Sequence, residues 1–337
     1  MNLFNILKNG LFSLDPEHAH EIALKGMQLA YRTRTSGLFG AQKFTKPCKL
    51  MGLEFSSPVG LAAGFDKNAD YVDALAALGF GFIEVGTLTP KPQAGNPKPR
   101  LFRLAEQQAI INRMGFNNKG IEHAAKRLEK INYRGVLGIN LGKNADTPLE
   151  NAVDDYLTGF RALWKYASYI TINISSPNTR GLRDLQQKVF LSSILRTMKE
   201  EQTKILQREK KYVPLVIKLS PDMTDEQTEE GAKIILEEKI DGVIATNTTV
   251  SRDGVLESKY VNETGGLSGM PLCGRSTHVI KKLASILKDE IPVFGSGGVM
   301  DEETAKDKLN AGARLIQVYT GFIYHGPEII SRIAKVF

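Results

Sequence analysis

Eight times along the chain a short apolar run breaks off into glycine, asparagine, serine, threonine or lysine. The runs are VGLAAGFDKN from Val59, FGFIEVGTLTP from Phe80, VLGINLGKN from Val136, YITINISSPN from Tyr169, PLVIKLSPD from Pro214, DGVIATNTT from Asp241, PVFGSGGVM from Pro292 and LIQVYTGF from Leu315. Between them lie stretches with helical spacing, at Tyr71–Leu78, Ile121–Ile131, Asp184–Glu209, Thr224–Glu238 and Glu302–Ala311, so strand and helix alternate. A strand that returns through a helix pairs with a parallel neighbour by a right-handed crossover. Eight such units in roughly 280 residues fit an α/β fold of the (β/α)8 TIM-barrel type better than a doubly wound sheet.

A barrel of this kind carries its chemistry at the C-terminal ends of its strands. Here those ends hold Lys67, Thr87, Asn140, Asn173, Lys218, Asn247 and the GSGG of Gly295–Gly298. The fourth run, TINISSPN, stops in two serines, a proline and an asparagine rather than in a simple turn. It therefore delivers a polar loop into the mouth.

The segment before Val59 is of another kind. Residues 1–46 show no strand-like run, and DPEHAHEIALKGMQLAYR opens with Asp15 placed to cap a helix and Pro16 at its first position. A pair of helices is expected, with Leu3, Phe4, Leu7 and Leu11 on one face of the first. Across residues 1–46, six Lys or Arg stand against three Asp or Glu. Two placements fit this pattern equally: helices that cap the barrel bottom or pack on its side, and helices that lie on a membrane surface. The expected division is a helical segment over 1–46 and a barrel domain over 47–337.

The 337 residues suffice for one large domain. A net charge of +7 permits attraction to nucleic acid, acidic lipid or small anions without choosing among them. No apolar run approaches the roughly 20 residues of a spanning helix, so any membrane contact is expected to be peripheral. Cys48 and Cys273 are the only cysteines. With no secretory signal they are expected as reduced thiols, and no cysteine cluster offers a metal site.

Glycine amides after the last two strands, in GSGGVM (Gly295–Met300) and YTGFIYHGPE (Tyr319–Glu328), suit a phosphate; the bland alternative is that they only make tight turns. No GxGxxG follows a strand and no Walker-type loop is present, which disfavours a dinucleotide or triphosphate cradle. Asn112, Asn140, Asn173, Asn178 and Asn247 gather at strand ends or in the loop NRMGFNN. Because asparagine both donates and accepts, the group suits a planar ligand with alternating C=O and N–H, such as a pyrimidine or a flavin, although each alone is an ordinary turn residue. Lys67 and Lys218 are open to three roles: pairing with a ligand anion, a structural salt bridge, or a Schiff base. Ser176 has no histidine near it in sequence, and His18, His20, His123, His278 and His325 all lie outside the strand ends. A Ser-His-Asp triad is disfavoured.

Taken together, AAGFDKN, EVGTLTPKPQAGNPKPRLFR, INRMGFNNKG, GINLGKN, INISSPNTRGLR, IKLSPD, GVIATNTT, TGGLSGMPL, GSGG and QVYTGF resemble the dihydroorotate dehydrogenase family. The resemblance runs from DPEHAHE to GPEII, essentially the whole chain. Ser176, where the soluble class carries cysteine, and the helical extension make the chain similar to the membrane-associated, quinone-linked class. The resemblance implies an FMN enzyme that oxidises dihydroorotate to orotate in pyrimidine synthesis and passes electrons to a membrane quinone. It implies contact with an anionic membrane surface through the N-terminal helices, at the cytoplasmic face of the inner membrane in a bacterium, and no nucleic-acid partner.

Residue by residue, the resemblance implies Ser176 as the base, with Thr179 and Phe116 on the proton's way out. Around the substrate it implies Lys67, Asn112, Arg113, Met114, Gly115, Phe116, Asn173, Asn178, Asn247 and Thr248. For FMN it implies Ala63, Gly64, Phe65, Asp66, Lys67, Thr87, Asn140, Asn173, Lys218 and Thr246, with Gly269, Gly298, Tyr319 and Thr320 at the phosphate. His20, Arg103 and Tyr319 are implied for the quinone. The alternatives are a soluble-class enzyme reducing fumarate or NAD, a Schiff-base aldolase on a phosphorylated sugar, and a passive flavin-binding or membrane-surface scaffold.

Overall fold

The computed structural model describes residues 3–39 and 45–337. Residues 1, 2 and 40–44 lie outside the described residues, and the side chain of Leu3, expected on the apolar face of the first helix, is not described either. Helices α1 (Leu3–Ser13) and α2 (Pro16–Arg32) come first. Asp15 caps α2, its Oδ1 accepting from the N–H groups of Glu17 (3.1 Å) and His18 (3.0 Å), and Pro16 at the first position lacks only an N–H that would have no partner there. A hairpin follows, β1 (Cys48–Leu50) and β2 (Leu53–Phe55), its two-residue turn made by Met51 and Gly52 with φ of 54° and 75°.

Strand and helix then alternate. In chain order they are β3 (Val59–Leu61), α3 (Val72–Ala76), β4 (Phe82–Leu88), β5 (Leu101–Leu104), β6 (Ala109–Asn112), α4 (Gly120–Leu128), β7 (Val136–Leu141), α5 (Ala152–Leu163), β8 (Tyr169–Asn173) and α6 (Lys188–Glu209). There follow β9 (Leu215–Leu219), α7 (Asp225–Glu237), β10 (Gly242–Ala245), β11 (Gly266–Gly269), α8 (Cys273–Leu287), β12 (Val293–Ser296), α9 (Glu302–Asn310), β13 (Ala313–Val318), α10 (Thr320–His325) and α11 (Glu328–Ala334). Strands β3, β4, β7, β8, β9, β10, β12 and β13 close into a parallel barrel, one strand from each of the eight apolar runs. Every residue of β4, β7, β8 and β9 is buried, because the barrel covers one face of the strands and the helices the other.

The helix expected from Asp184 starts instead at Lys188. Leu182–Gln186 forms a 3-10 turn and Gln187 is extended. Arg183 pins that turn, donating to Ser175 O (3.1 Å), Thr248 O (2.8 Å) and the Asp222 carboxylate (2.8 Å).

The two ends of the barrel are closed differently. At the N-terminal end, Phe82, Val136, Tyr169, Val216 and Phe294 pack around Phe55 of the hairpin, with Phe55 edge-on to Phe82 at 5.3 Å. The placement in which the N-terminal helices cap the bottom is thereby corrected, since the hairpin supplies that plug. The helices lie at the mouth, where α2 packs on α3 and β5. The mouth also carries an antiparallel sheet of β5, β6 and β11, built from insertions after β4 and β10. Its four-residue strands were not evident in the sequence, where LFRL and AIIN are too short to show alternation. Among the described residues no helix is long and apolar enough to cross a membrane, and Cys48 and Cys273 are both free thiols.

Candidate active site

Glu84, within β4, is fully buried and accepts hydrogen bonds from Asn140 Nδ2 (2.8 Å), Tyr169 OH (2.9 Å) and Gln317 Nε2 (2.9 Å). Asn140 Oδ1 accepts in turn from Thr87 Oγ1 (2.6 Å) and Asn173 Nδ2 (3.0 Å). Asn173 Oδ1 accepts from Ser175 Oγ (3.1 Å) and Asn247 Nδ2 (3.3 Å). These side chains come from the ends of different strands and lock together only when the barrel closes.

Over this network a cavity opens at the barrel mouth. Ala63, Gly64 and Lys67 reach it from the loop after β3, Thr87 from β4, and Asn112, Met114, Gly115 and Phe116 from the end of β6 and its loop. Asn173, Ser176 and Asn178 come from β8 and beyond, Lys218 from β9, Thr246, Asn247 and Thr248 from after β10, Gly298 from after β12 and Tyr319 from after β13.

Other expected residues stand apart from the lining. Asn140 lies one layer behind it. The Asp66 carboxylate accepts from the N–H groups of Asn68, Asp70 and Tyr71 and so shapes its own loop. Phe65 turns away to pack edge-on to His20, Tyr319 and Phe322. Arg113 pairs with Glu263 at 2.5 Å and stacks over Phe102 at 4.6 Å. Thr320 donates to Ser268 (2.8 Å), which does line the cavity, and Gly269 follows that serine. Thr179 is buried with its hydroxyl unpartnered.

Sequence reasoning did not name Glu84, Gln317, Ser175 or Ser268. For Glu84 a signal existed: a carboxylate inside the apolar strand FIEVG must have partners.

The charges in the cavity are unbalanced. Neither Lys67 nor Lys218 has a hydrogen-bond or ion-pair partner among the described residues, though both face the cavity. Burial pushes Lys67 down to about 8, against the pull of Glu17 and Asp66. Burial likewise lowers Lys218, with the Glu84 charge opposing the shift. Gln317 Oε1, Thr248 Oγ1 and Asn117 Oδ1 are buried acceptors without partners, and all three residues line the same cavity. Orphaned acceptors and unpaired ammonium groups together fit a ligand that is anionic and carries amide-type N–H groups. Ser176 is 6 % exposed; its Oγ accepts from the N–H of Asn178 at 3.2 Å.

A second cavity opens between the N-terminal helices and the barrel mouth. Phe4, Leu11, Phe12, Ala19, Ala23 and Met27 line it from one side and Phe65, Leu101, Phe322 and Ile323 from the other. Lys67, Met114 and Tyr319 belong to both cavities, which are thus neighbours. Polar groups are few in the second. His20 Nε2 lies 2.9 Å from Phe65 O, and burial, reinforced by the Lys67 charge, lowers its pKa to about 3, so the ring is neutral and Nε2–H donates. Arg103 donates to Phe12 O at 2.8 Å and stacks on the Phe12 ring at 4.3 Å. Burial pushes the Tyr319 hydroxyl up to about 12, so it stays protonated.

Ion pairs on Glu17, with Arg100 and with Lys98 at 3.5 Å, fasten α2 beside this cavity. Arg100, 7 % exposed, grips Glu17 of α2 with two hydrogen bonds (2.7 and 3.1 Å). Burial alone would raise Glu17, but Arg100 brings it below the ordinary carboxylate range.

Comparison with known proteins points in one direction. The profile of the family described as dihydroorotate dehydrogenase matches residues 47–337. A dihydroorotate dehydrogenase (quinone) from Cellvibrio japonicus is 52% identical over 332 residues, covering 98% of this chain and 97% of its own. A protein of the same name from Nitrosospira multiformis is 51% identical over 337 residues, covering 99% and 95%. Among solved structures, the Eimeria tenella enzyme in complex with ferulenol superimposes with a TM-score of 0.87 at 39% identity, covering 98% of this chain and 93% of its own.

Proposed function

The chain belongs to the dihydroorotate dehydrogenase family, and from that premise we propose that it is a quinone-dependent dihydroorotate dehydrogenase, oxidising (S)-dihydroorotate to orotate in pyrimidine biosynthesis. The observation that carries this reading is the pair of unneutralised lysines, Lys67 and Lys218, in one cavity with orphaned amide and hydroxyl acceptors and a buried serine.

Lys67 binds the substrate carboxylate, and Asn112, Asn173, Asn178 and Asn247 match the alternating C=O and N–H of the pyrimidine ring. Met114, Gly115, Phe116 and Thr248 close the pocket over it, while Arg113 acts from behind by fixing that loop to Glu263. Ser176 Oγ takes the proton from C5. Serine is a weak base, but the Asn178 N–H donates to this oxygen and so favours its negative form. The unpartnered Thr179 hydroxyl is the next acceptor on the way out, with Phe116 on the same route.

FMN, when bound, supplies the acceptor for the hydride from C6. Ala63, Gly64, Thr87, Thr246 and Asn173 would hold its ring, with Asn140, Phe65 and Asp66 shaping that wall from behind. Lys218 would balance negative charge there, and Gly269, Gly298, Tyr319 and Thr320 would hold the phosphate.

The apolar second cavity fits a quinone, with His20, Arg103 and Tyr319 as its polar end. Of the ten large hydrophobics exposed among the described residues, Leu7, Leu14, Ile22, Leu29 and Leu38 fall in the first 38. That supports a peripheral contact of the helical segment 1–46 with an anionic membrane surface, on the cytoplasmic side of a bacterial inner membrane, while 47–337 forms the catalytic domain. A soluble acceptor such as fumarate or NAD would have no use for that cavity.

The test is direct. The purified protein should be yellow, release FMN on denaturation, bleach anaerobically with dihydroorotate and regain colour with a short-chain quinone. A colourless protein that takes up no FMN sinks the reading.

A further inference from the structure

Lys308, on α9, is 0 % exposed, and the reaction above gives it no part. Its ammonium donates to Cys273 O (2.6 Å), Ser276 Oγ (2.7 Å) and Thr277 Oγ1 (2.5 Å), with Cys273 Sγ at 3.6 Å. Three oxygen acceptors, with the Cys273 sulfur as a longer fourth contact, suit the charged form. Yet its surroundings oppose a charge. Burial disfavours it and lowers the pKa to about 8. All three acceptors lie between Cys273 and Thr277, at the start of α8, the end at which the helix dipole is positive. None of the bonded partners is a carboxylate, and the Cys273 thiol beside the ammonium, with Asp307 at a distance, offsets only part of the burial.

A cation so placed calls for an anion, and what adjoins it is the glycine turn after β12. Ser276, bonded to Lys308, donates to Gly297 O at 2.7 Å. A Cβ on Gly295 would meet Lys308 Cβ at 3.1 Å, and one on Gly298 would meet Cys273 Cα at 2.3 Å. Only glycines let the end of β12 press this closely on Lys308 and the start of α8. On its other side the same turn, through Gly297 and Gly298, lines the barrel-mouth cavity.

We propose that Lys308 is the buried counter-charge for the flavin phosphate. It acts through Ser276 and the Gly297–Gly298 turn without touching the ligand, and it makes the site prefer a flavin bearing a phosphate dianion over one without. The proposal rests on the FMN reading and deepens it by assigning where the phosphate selectivity originates.

Flavin-free protein titrated with FMN and with riboflavin, followed by flavin fluorescence, separates the possibilities. Wild type should bind FMN at least about 100-fold more tightly than riboflavin. Lys308→Met should lower FMN affinity by about tenfold or more while riboflavin changes by less than about threefold, and Lys308→Arg should keep most of the preference. Without flavin, Lys308→Met should melt no lower than wild type, because an apolar isostere replaces a buried charge that lacks its anion. Parallel loss of FMN and riboflavin, or an unchanged ratio, overturns the proposal. So does failure of both Lys308→Met and Lys308→Gln to fold without flavin, since the charge would then support the empty fold. A wild type that binds both flavins alike also overturns it while leaving a flavin enzyme. Only a wild type that binds neither flavin removes the FMN reading itself.

Discussion

The two cavities share Lys67, Met114 and Tyr319 and differ in almost everything else. In the barrel mouth Asn140, Thr87, Asn173, Asn247 and Gln317 belong to one hydrogen-bonded chain anchored on Glu84, while Lys67 and Lys218 face the space unpaired among the described residues. Under the helices the lining is mostly aliphatic and aromatic, and His20 and Arg103 are tied to backbone carbonyls, of Phe65 and Phe12. The first arrangement can hold a ligand in one orientation and change its protonation. The second can accept a flexible apolar molecule; its own polar end, neutral His20 and protonated Tyr319, does not titrate near neutrality, and the group that does, Lys67, stands on the wall shared with the first. Chemistry and delivery of the acceptor are thereby separated across one shared wall.

The separation can be broken most severely at Ser176. Ser176→Ala should slow single-turnover oxidation of dihydroorotate by roughly 10²- to 10⁴-fold, with FMN content and orotate affinity unchanged. An unaltered rate in anaerobic stopped flow would remove the base assignment.

Next in size is Lys67→Ala, which should weaken orotate binding by about 10- to 100-fold, the value of a charge-assisted contact. The same residue gives a pH signature. With its pKa lowered to about 8, Lys67 loses its proton above that pH in the free protein. Orotate affinity should therefore fall as pH rises past 8, and the fall should vanish in Lys67→Ala. The sign for stability is opposite. A lysine depressed from 10.5 burdens the ligand-free fold below pH 8, and that burden lifts between 8 and 10.5. Calorimetric titration with orotate across that range checks the first sign and thermal melts of ligand-free protein the second.

A smaller effect tests the other side of the wall. Ala23→Phe fills the apolar cavity and should reduce turnover with a long-chain quinone by about tenfold, leaving single-turnover oxidation of dihydroorotate intact. Equal loss in both assays would mean the cavities are not separable. Smallest is Asp15→Ala, which removes the cap of α2 at a cost of about 1 kcal/mol. It should loosen quinone turnover without moving the melting of the barrel, as hydrogen exchange on α2 and on β8 would show.

The barrel was legible because its strands are continuous apolar runs with chemistry confined to their ends. Seventeen of the expected ligand-site residues, from Ala63 to Tyr319, line one cavity for the same reason. What stayed hidden depends on partners distant in sequence. Glu84 has meaning only with Tyr169, 85 residues away, and Gln317, 233 away. The small sheet of β5, β6 and β11 joins Asn112 to Gly266, a pairing that no local pattern announces. Phe65 and Asp66 sit in the same motif as Lys67, yet the turn of the loop sends the three side chains to different places.

Glu84 also gives the site a direction. An amide side chain can be turned end for end, but a carboxylate has no hydrogen to offer. Asn140 must therefore show Glu84 its nitrogen and keep its oxygen for Thr87 and Asn173. Asn173 in turn must face outward with its oxygen, and Asn247 must answer with its nitrogen. One residue with a single possible sense fixes the sense of every ambiguous one after it, as the first tooth fixes a zip. A glutamine at 84 would preserve the shape and erase the instruction. The wall could then assemble in either polarity, and it would no longer distinguish a ring from its counterpart with C=O and N–H exchanged.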